Sequence, residues 1–346
     1  MSFVAFQPDD SVISSDATVA PMWSNYTASL NTFFTSSTQE TSTGGKFYLD
    51  VYNIDPVANP ASSEVQFSVA YGHISGSGSA YFNAAITNRT PTRDVYGQFR
   101  TLIYGDENTQ FSFGSSTYTS KDIIVISVNR ARFKESFNPG SLTLKITSGS
   151  NSVTLTDDST VTSTSTYVGT SRIYQLLSGS ANNVSSSNYT VSGSYGIMIP
   201  DEGLIILNPR ALANPAGPLG GLGAVFNETS ASQYAVSGVS GSANNQMIFK
   251  MISSGGNFTL QNYETISSRY FFVRVKNTDF NYTTNPSIID SNGNLLYTQL
   301  IYNPQTYPTT VGLYNDSGDL LAIAKLNKAL VKDFTKELLL RVKLDF

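Results

Sequence analysis

The chain has 346 residues, room for two or three domains of ordinary size, and 40% of them are hydrophobic, including 20 Phe and 20 Tyr, which is ample material for packed sheets. Charged residues make up only 13%, about half the usual share, and the formal net charge is −4, so the chain lacks the excess of Lys and Arg by which proteins neutralise nucleic-acid phosphates. The absence of Cys excludes disulfides, thiolate zinc sites and cysteine nucleophiles, and a single histidine, His73, excludes a His-rich metal site.

No run approaches the roughly 18–20 apolar residues of a membrane-spanning helix, and residues 1–10 lack the basic start and apolar stretch of a signal peptide. The expectation is a soluble chain made in the cytoplasm. Strand signals then recur along the sequence. In residues 46–52, Phe47, Leu49 and Val51 alternate with Tyr48, Asp50 and Tyr52, the period of two that puts one set on each face of a sheet. Residues 64–71 read similarly. Ile123 to Val128 form a continuous apolar run that suits a strand covered on both faces.

Residues 140–256 are rich in Ser, Thr, Asn and Gly, with short strands expected at 141–146, 171–177 and 203–207. Residues 178–187 and 208–223 read as long loops, the kind that meets neighbours in assemblies. From Tyr270 onward Phe271, Val273 and Val275 oppose Phe272, Arg274 and Lys276. A hairpin is expected where residues 310–314 and 320–326 flank the turn residues 315–319. Residues 327–335 fit a short helix or a polar crossing. The last residues alternate strictly, with Leu340, Val342, Leu344 and Phe346 on one side and Arg341, Lys343 and Asp345 on the other. That row is the candidate interface, held in a sheet of this subunit or of a neighbour.

Chemistry has few carriers. A Ser-His-Asp triad would have to use His73, which stands where a strand enters a Gly/Ser loop and reads as a turn or interface residue. A glycosidase needs two carboxylates across a sugar, but Asp9-Asp10 and Asp157-Asp158 lie in turn-like segments where Asp bonds nearby backbone amides. Residues 217–223 share only glycine content with a phosphate loop, and residues 290–294 resemble the start of a calcium loop but lack its twelfth-position acid. Neither a cofactor nor a metal is expected. Asn-X-Ser/Thr triplets, as at Asn25, Asn88, Asn188 and Asn281, carry no weight in so Asn- and Ser-rich a chain. The late basic residues Lys325, Lys328, Lys332, Lys336, Arg341 and Lys343 interleave with acids and read as a solvated face or protein interface.

Residues 122–140 (DIIVISVNRARFKESFNPG), with 142–144 (LTL) and 155–159 (LTDDS), resemble virion structural proteins of T-even-like contractile-tailed phages, especially cyanobacterial myoviruses. Residues 96–103 (YGQFRTLI), 270–277 (YFFVRVKN), 310–316 (TVGLYND), 320–326 (LLAIAKL) and 341–346 (RVKLDF) are similar to the same group. The resemblance implies a virion protein without catalytic residues, located in the tail or baseplate and partnered by other virion proteins and copies of itself. Length and β-rich character are similar to baseplate wedge subunits, with neck or collar as the rival placement. Apart from 155–159, nothing between 147 and 257 carries the resemblance.

The fold expected is mostly β, with two or more antiparallel sandwich-like units, long loops and little helix. Residues 1–120 are expected to form an N-terminal β domain, 121–265 a middle β domain, and 266–346 a β segment packing with the first. The function expected is assembly through protein–protein interfaces, without enzymatic activity, nucleic acid or membrane. Two other classes stay open at this point: a host-glycan-binding module, which a glycan array would reveal, and a depolymerase using two carboxylates, which release of reducing ends would reveal.

Overall fold

The computed structural model describes residues 4–36, 48–76, 91–162, 166–169, 171–181, 183–213, 243–283 and 285–345. The chain is mostly β, 44% strand against 17% helix, about twice the usual strand share. It divides into a large unit, Thr18–Glu264, and a small unit made of Met1–Ala17 with Thr265–Phe346.

The large unit carries one extensive antiparallel sheet, curled into a half-barrel. Its order is β2 (Ser29–Leu30), β16 (Phe258–Thr259), β9 (Thr143–Ser148), β10 (Asn151–Asp157), β12 (Ser171–Ser180), β14 (Gly196–Ile199), β15 (Leu204–Leu207), β7 (Asp122–Val128), β4 (Val65–His73) and β3 (Leu49–Tyr52). Two further strands, β11 (Thr166–Val168) and β13 (Asn183–Ser186), pair with β12, and β5 (Phe111–Ser112) pairs with β6 (Thr119–Ser120). The boundary expected at 120/121 is not where the chain divides: β4 pairs with β7 from Phe67↔Val128 to His73↔Asp122, so the N-terminal and middle segments share one sheet.

The apolar run of β7 explains why this sheet is central. Ile124, Ile126 and Val128 enter one core with Phe67, Val69, Ile205 and Leu207, while Ile123 and Val125 enter the other with Ile197, Ile199 and Ile206. Each face also receives a helix. Helix α1 (Pro91–Tyr104) sends Val95, Tyr96 and Ile103 to the second core. Short helices α2 (Arg130–Phe133) and α3 (Pro209–Ala213) follow β7 and β15, and α4 (Ala243–Gly255) sends Ile248, Met251 and Ile252 to the first core. At Gly72 the α1 backbone lies so close that a Cβ would stand 2.9 Å from Tyr96 N, the situation in which a strand interior tolerates only glycine.

Two expectations for this unit need correction. Helix α4 falls in the Ser/Thr/Asn-rich middle, where only strands and loops were read. Its apolar residues sit at i, i+3 and i+4, the helical stripe, but the surrounding polar composition masks it. Residues 178–187 are not a long loop, because Gly179↔Val184 and Ser180↔Asn183 close a tight hairpin between β12 and β13. Residues 217–223 and Phe346 lie outside the described residues.

In the small unit, β17 (Gln261–Val275) pairs with β20 (Leu338–Asp345) from Ser268↔Asp345 to Val275↔Leu338. These belong to a sheet ordered β1 (Ser11–Pro21), β17, β20, with β8 (Ser136–Phe137) beside the first residues of β17. The division between the units falls within β1 and β17. A hairpin, β18 (Thr310–Tyr314) and β19 (Leu320–Lys325), stands as a two-stranded sheet, and α5 (Thr298–Tyr302) is a single turn. Residues 327–335 form the polar crossing, without a helix. No described helix is long and apolar enough to cross a membrane.

Candidate protein interface

Several of the sequence-marked polar residues are occupied inside the chain. His73 is 4% exposed, not a surface turn residue. It faces Asp122 across the β4–β7 pair, and its Nδ1 accepts the Ser75 amide at 3.1 Å, which places the proton of the neutral ring on Nε2. Asp122 accepts the Ser120 hydroxyl at 2.9 Å and the Tyr71 phenol at 3.1 Å.

Of the two carboxylate pairs, Asp10, Asp157 and Asp158 are likewise committed to backbone and neighbours, while Asp9 is exposed. Asp157 accepts the Gly140 amide at 2.8 Å and caps the turn that follows through the Ser159 amide. Asp158 accepts the Gln175 amide at 2.9 Å and the Thr162 hydroxyl at 3.1 Å, and burial pushes its carboxyl above the usual range. Asp10 accepts the Gln7 amide at 3.0 Å and the Arg274 guanidinium at 2.8 Å, and these two bonds hold it below the usual range. Asp290 binds the Asn294 and Asn292 amides, both at 2.8 Å, so its oxygens organise a tight turn with Gly293 at φ +83°. Among the described residues no three His, Asp or Glu side chains come together as a metal site.

The candidate interface row at the C-terminal end is divided by the structure. Leu340 and Val342 are 9% and 7% exposed, Leu344 is half-buried, and Arg341, Lys343 and Asp345 face solvent. Val342 and Leu340 stand opposite Phe271 and Val273 on one face of the β17–β20 pair. Leu340 and Val342 are thus buried within this chain's own packing and offer no free surface. On the other face Arg341 lies 5.5 Å from the Tyr270 ring, and Lys343 pairs with Asp345 at 2.9 Å. The Ser268 hydroxyl and then Lys343 hold Asp345 below the ordinary carboxylate range, and Asp345 in turn raises Lys343.

One exposed apolar surface among the described residues lies on the hairpin. Its register sets Gly312 against Ile323 and Thr310 against Lys325, with a bulge at Leu313/Tyr314. Leu313 on the reverse face is 7% exposed, whereas Leu320, Leu321 and Ile323 are 47%, 69% and 62% exposed. A Cβ at Gly312 would stand 2.8 Å from Tyr314 Cε2 and 3.3 Å from Leu320 Cδ1, so the tyrosine ring and Leu320 cover the space that glycine leaves. The result is a contiguous apolar strip, the kind of exposure that marks an interaction site. A two-stranded ribbon is marginal on its own. Sequence alone does not single these residues out, because β19 is apolar on both faces and its alternation carries no inward or outward signal.

The loop beneath the crossing is held by a buried lysine. Lys332, read from sequence as part of a solvated or interfacial basic face, is 0% exposed, and its ammonium donates to Asn281 Oδ1 at 2.7 Å, Asp333 O at 2.9 Å and Asn277 O at 3.0 Å. Three acceptors satisfy its three donors. Next to it, the Thr335 hydroxyl and then Lys336 draw the Asp333 carboxyl down to about 2. No protein-family model, curated protein or solved structure matches the chain.

Proposed function

We propose that this chain is a non-enzymatic structural subunit of a tailed-phage virion, placed in the baseplate of a contractile tail and working through contacts with other virion proteins and copies of itself. The observation that carries the reading is the outward strip of the hairpin, where Tyr314, Leu320, Leu321 and Ile323 form an apolar surface while Leu313 is turned inward. The buried core of a protein interface is more apolar than its rim and depleted of charged residues, and few ions need be desolvated there. The resemblance of residues 96–103, 122–140, 270–277, 310–316, 320–326 and 341–346 to contractile-tail virion proteins supplies the particle. Several of those segments build β7, β17, β18, β19 and β20.

The test is to find the chain in purified particles of its parent phage by mass spectrometry and to locate it in a particle map. Density in the baseplate is expected. Density in the neck would move the subunit, and absence from particles would end the reading. The double substitution Leu321→Lys with Ile323→Lys should leave thermal unfolding unchanged and exclude the chain from particles.

A further inference from the structure

Along the whole chain an asparagine is followed by glycine only once, at Asn292-Gly293. The pair carries a chemistry of its own, because the side-chain amide carbon of an asparagine lies within reach of the next backbone nitrogen, and glycine leaves that nitrogen unshielded by a Cβ. Asparagine is among the thermolabile residues for this reason.

The turn that carries the pair is held on both sides of the reactive nitrogen. Residues 291–293 form a short loop closing the Ile289↔Leu295 bridge, in which the Gly293 amide donates to Asp290 O at 3.1 Å, the Asp290 amide donates to Asn294 O at 2.9 Å, and Gly293 takes φ +83°. A type I turn followed by a glycine at positive φ is a common hairpin loop. The Asp290 carboxylate gathers the Asn292 and Asn294 amides, each at 2.8 Å, and Asn294 Nδ2 at 3.2 Å. The Asn294 amides hold this carboxyl below the ordinary range, so it is ionised at neutral pH and its bonds are charge-assisted. Beyond the nitrogen, the Tyr282 phenol donates to Gly293 O at 3.1 Å. The Asn292 side chain, by contrast, is exposed and bonded to none of the described residues.

We infer that Asn292 is a site of spontaneous deamidation, latched in the folded chain by the Asp290 carboxylate and the Tyr282 phenol. In the reaction the Gly293 nitrogen gives its proton to hydroxide and bonds to Asn292 Cγ; the Cγ–Nδ2 bond breaks, and the departing nitrogen takes a proton from water and leaves as ammonia, which restores the base. Water then opens the cyclic imide at either carbonyl and returns aspartate or isoaspartate, the latter with a main chain longer by a methylene. In the closed turn the proton of the nucleophile is bonded to Asp290 O, so attack waits for the turn to open and its rate follows the opening equilibrium. Both products oppose reclosure. Aspartate sets a second negative charge two residues from Asp290, and isoaspartate lengthens a loop whose register is fixed by the Ile289↔Leu295 bridge. The inference concerns the chain by itself and does not rest on the proposed function.

The test ages the full chain at mildly alkaline pH, as wild type, Asp290→Ala, Asp290→Asn and Tyr282→Phe, each with and without denaturing urea. Position 292 is read by peptide mapping with mass spectrometry that separates aspartate from isoaspartate. In urea all four chains should convert at a common rate and give both products. Folded wild type should convert about tenfold more slowly, in proportion to the time the turn stands open. Asp290→Ala should raise the folded rate by about fivefold, and Asp290→Asn and Tyr282→Phe by less, since each keeps part of the latch. Hydrogen-exchange protection of β17 shows that a faster variant has opened the turn and not the unit; should Asp290→Ala lose that protection, Tyr282→Phe, which removes a single hydroxyl, decides. An intact amide at 292 in urea overturns the site. A folded rate equal to that in urea, or one left unmoved by Asp290→Ala and Tyr282→Phe alike, overturns the latch. A difference between variants that persists in urea overturns it too, because the effect would then belong to a neighbouring side chain and not to the turn.

Discussion

In the large unit the sheet is buried on both faces, and alternate residues of β7 feed two separate cores, each closed by a helix. In the small unit β17 and β20 bury one row, the hairpin buries Leu313, and much of the remaining order comes from side chains bonded to turns, as at Asp290, Asp333 and Lys332. The first is held by apolar area, which is non-directional and tolerant of detail. The second is held by a few directional bonds whose loss is local. A region with little core and an exposed apolar strip is suited to gaining its remaining stability from a partner, and that is the physical content of the proposed assembly role.

The largest expected effect belongs to the β20 end of the small unit. Removing residues 340–346 takes away the burial of Leu340 and Val342, about 3–6 kcal/mol before chain entropy is counted. It should abolish hydrogen-exchange protection in β17 from Ser268 to Val275 while β4 and β7 stay protected. Loss of protection in both units together would show that they unfold as one and would break the comparison.

Phe67→Ala strikes the opposite unit. Its ring is fully buried, with centroids 5.3 Å from Phe258 and 6.1 Å from Trp23, and the cavity should cost about 3–5 kcal/mol. Urea unfolding followed by the Trp23 fluorescence should register it. An unchanged midpoint would mean that the first core is loosely packed.

Lys332→Met keeps the stem's volume but leaves Asn281 Oδ1 and Asp333 O without their buried donor, at about 2–3 kcal/mol. The loss should appear in the small unit alone. By contrast Lys343→Ala, on the exposed face of β20, should leave the midpoint unmoved, since its partner Asp345 keeps the Ser268 bond.

The smallest effects concern pH, and their signs differ between the units. Asp333 is held near 2, below its ordinary 3.8, so its stabilisation of the small unit is complete above 3.8 and is lost as pH falls towards 2. Asp158 in the large unit is held above 3.8 by burial, so the folded state binds its proton more tightly than the unfolded chain, and stability rises as pH falls through that raised value. Asp158→Asn should remove this dependence and leave the midpoint at pH 7 equal or slightly higher. A lower midpoint would show that the ionised carboxylate is needed by the Gln175 amide.

What the sequence determined by itself was whatever repeats over a few residues. The period of two in β17 and β20, the two-sided apolar run of β7, and the turn residues between β18 and β19 are all local, because strand geometry alternates side chains regardless of which strand lies next to it. The reading of Asp290 as a tight turn is local too, since its partners lie two and four residues away.

What only the tertiary structure decided was pairing between distant residues. Nothing near β9 in sequence predicts that it lies beside β16, 110 or more residues later, and the same non-locality replaces the boundary expected at 120/121 by one within β1, whereas the boundary expected at 265/266 lies one residue from the division within β17. Composition hid α4, because a polar region can bury a single apolar stripe. Burial reversed the reading of His73 and Lys332, two polar residues that sequence places at the surface. The strip at Leu321 and Ile323 was invisible for a related reason: whether a side chain is exposed depends on what the rest of the fold leaves around it.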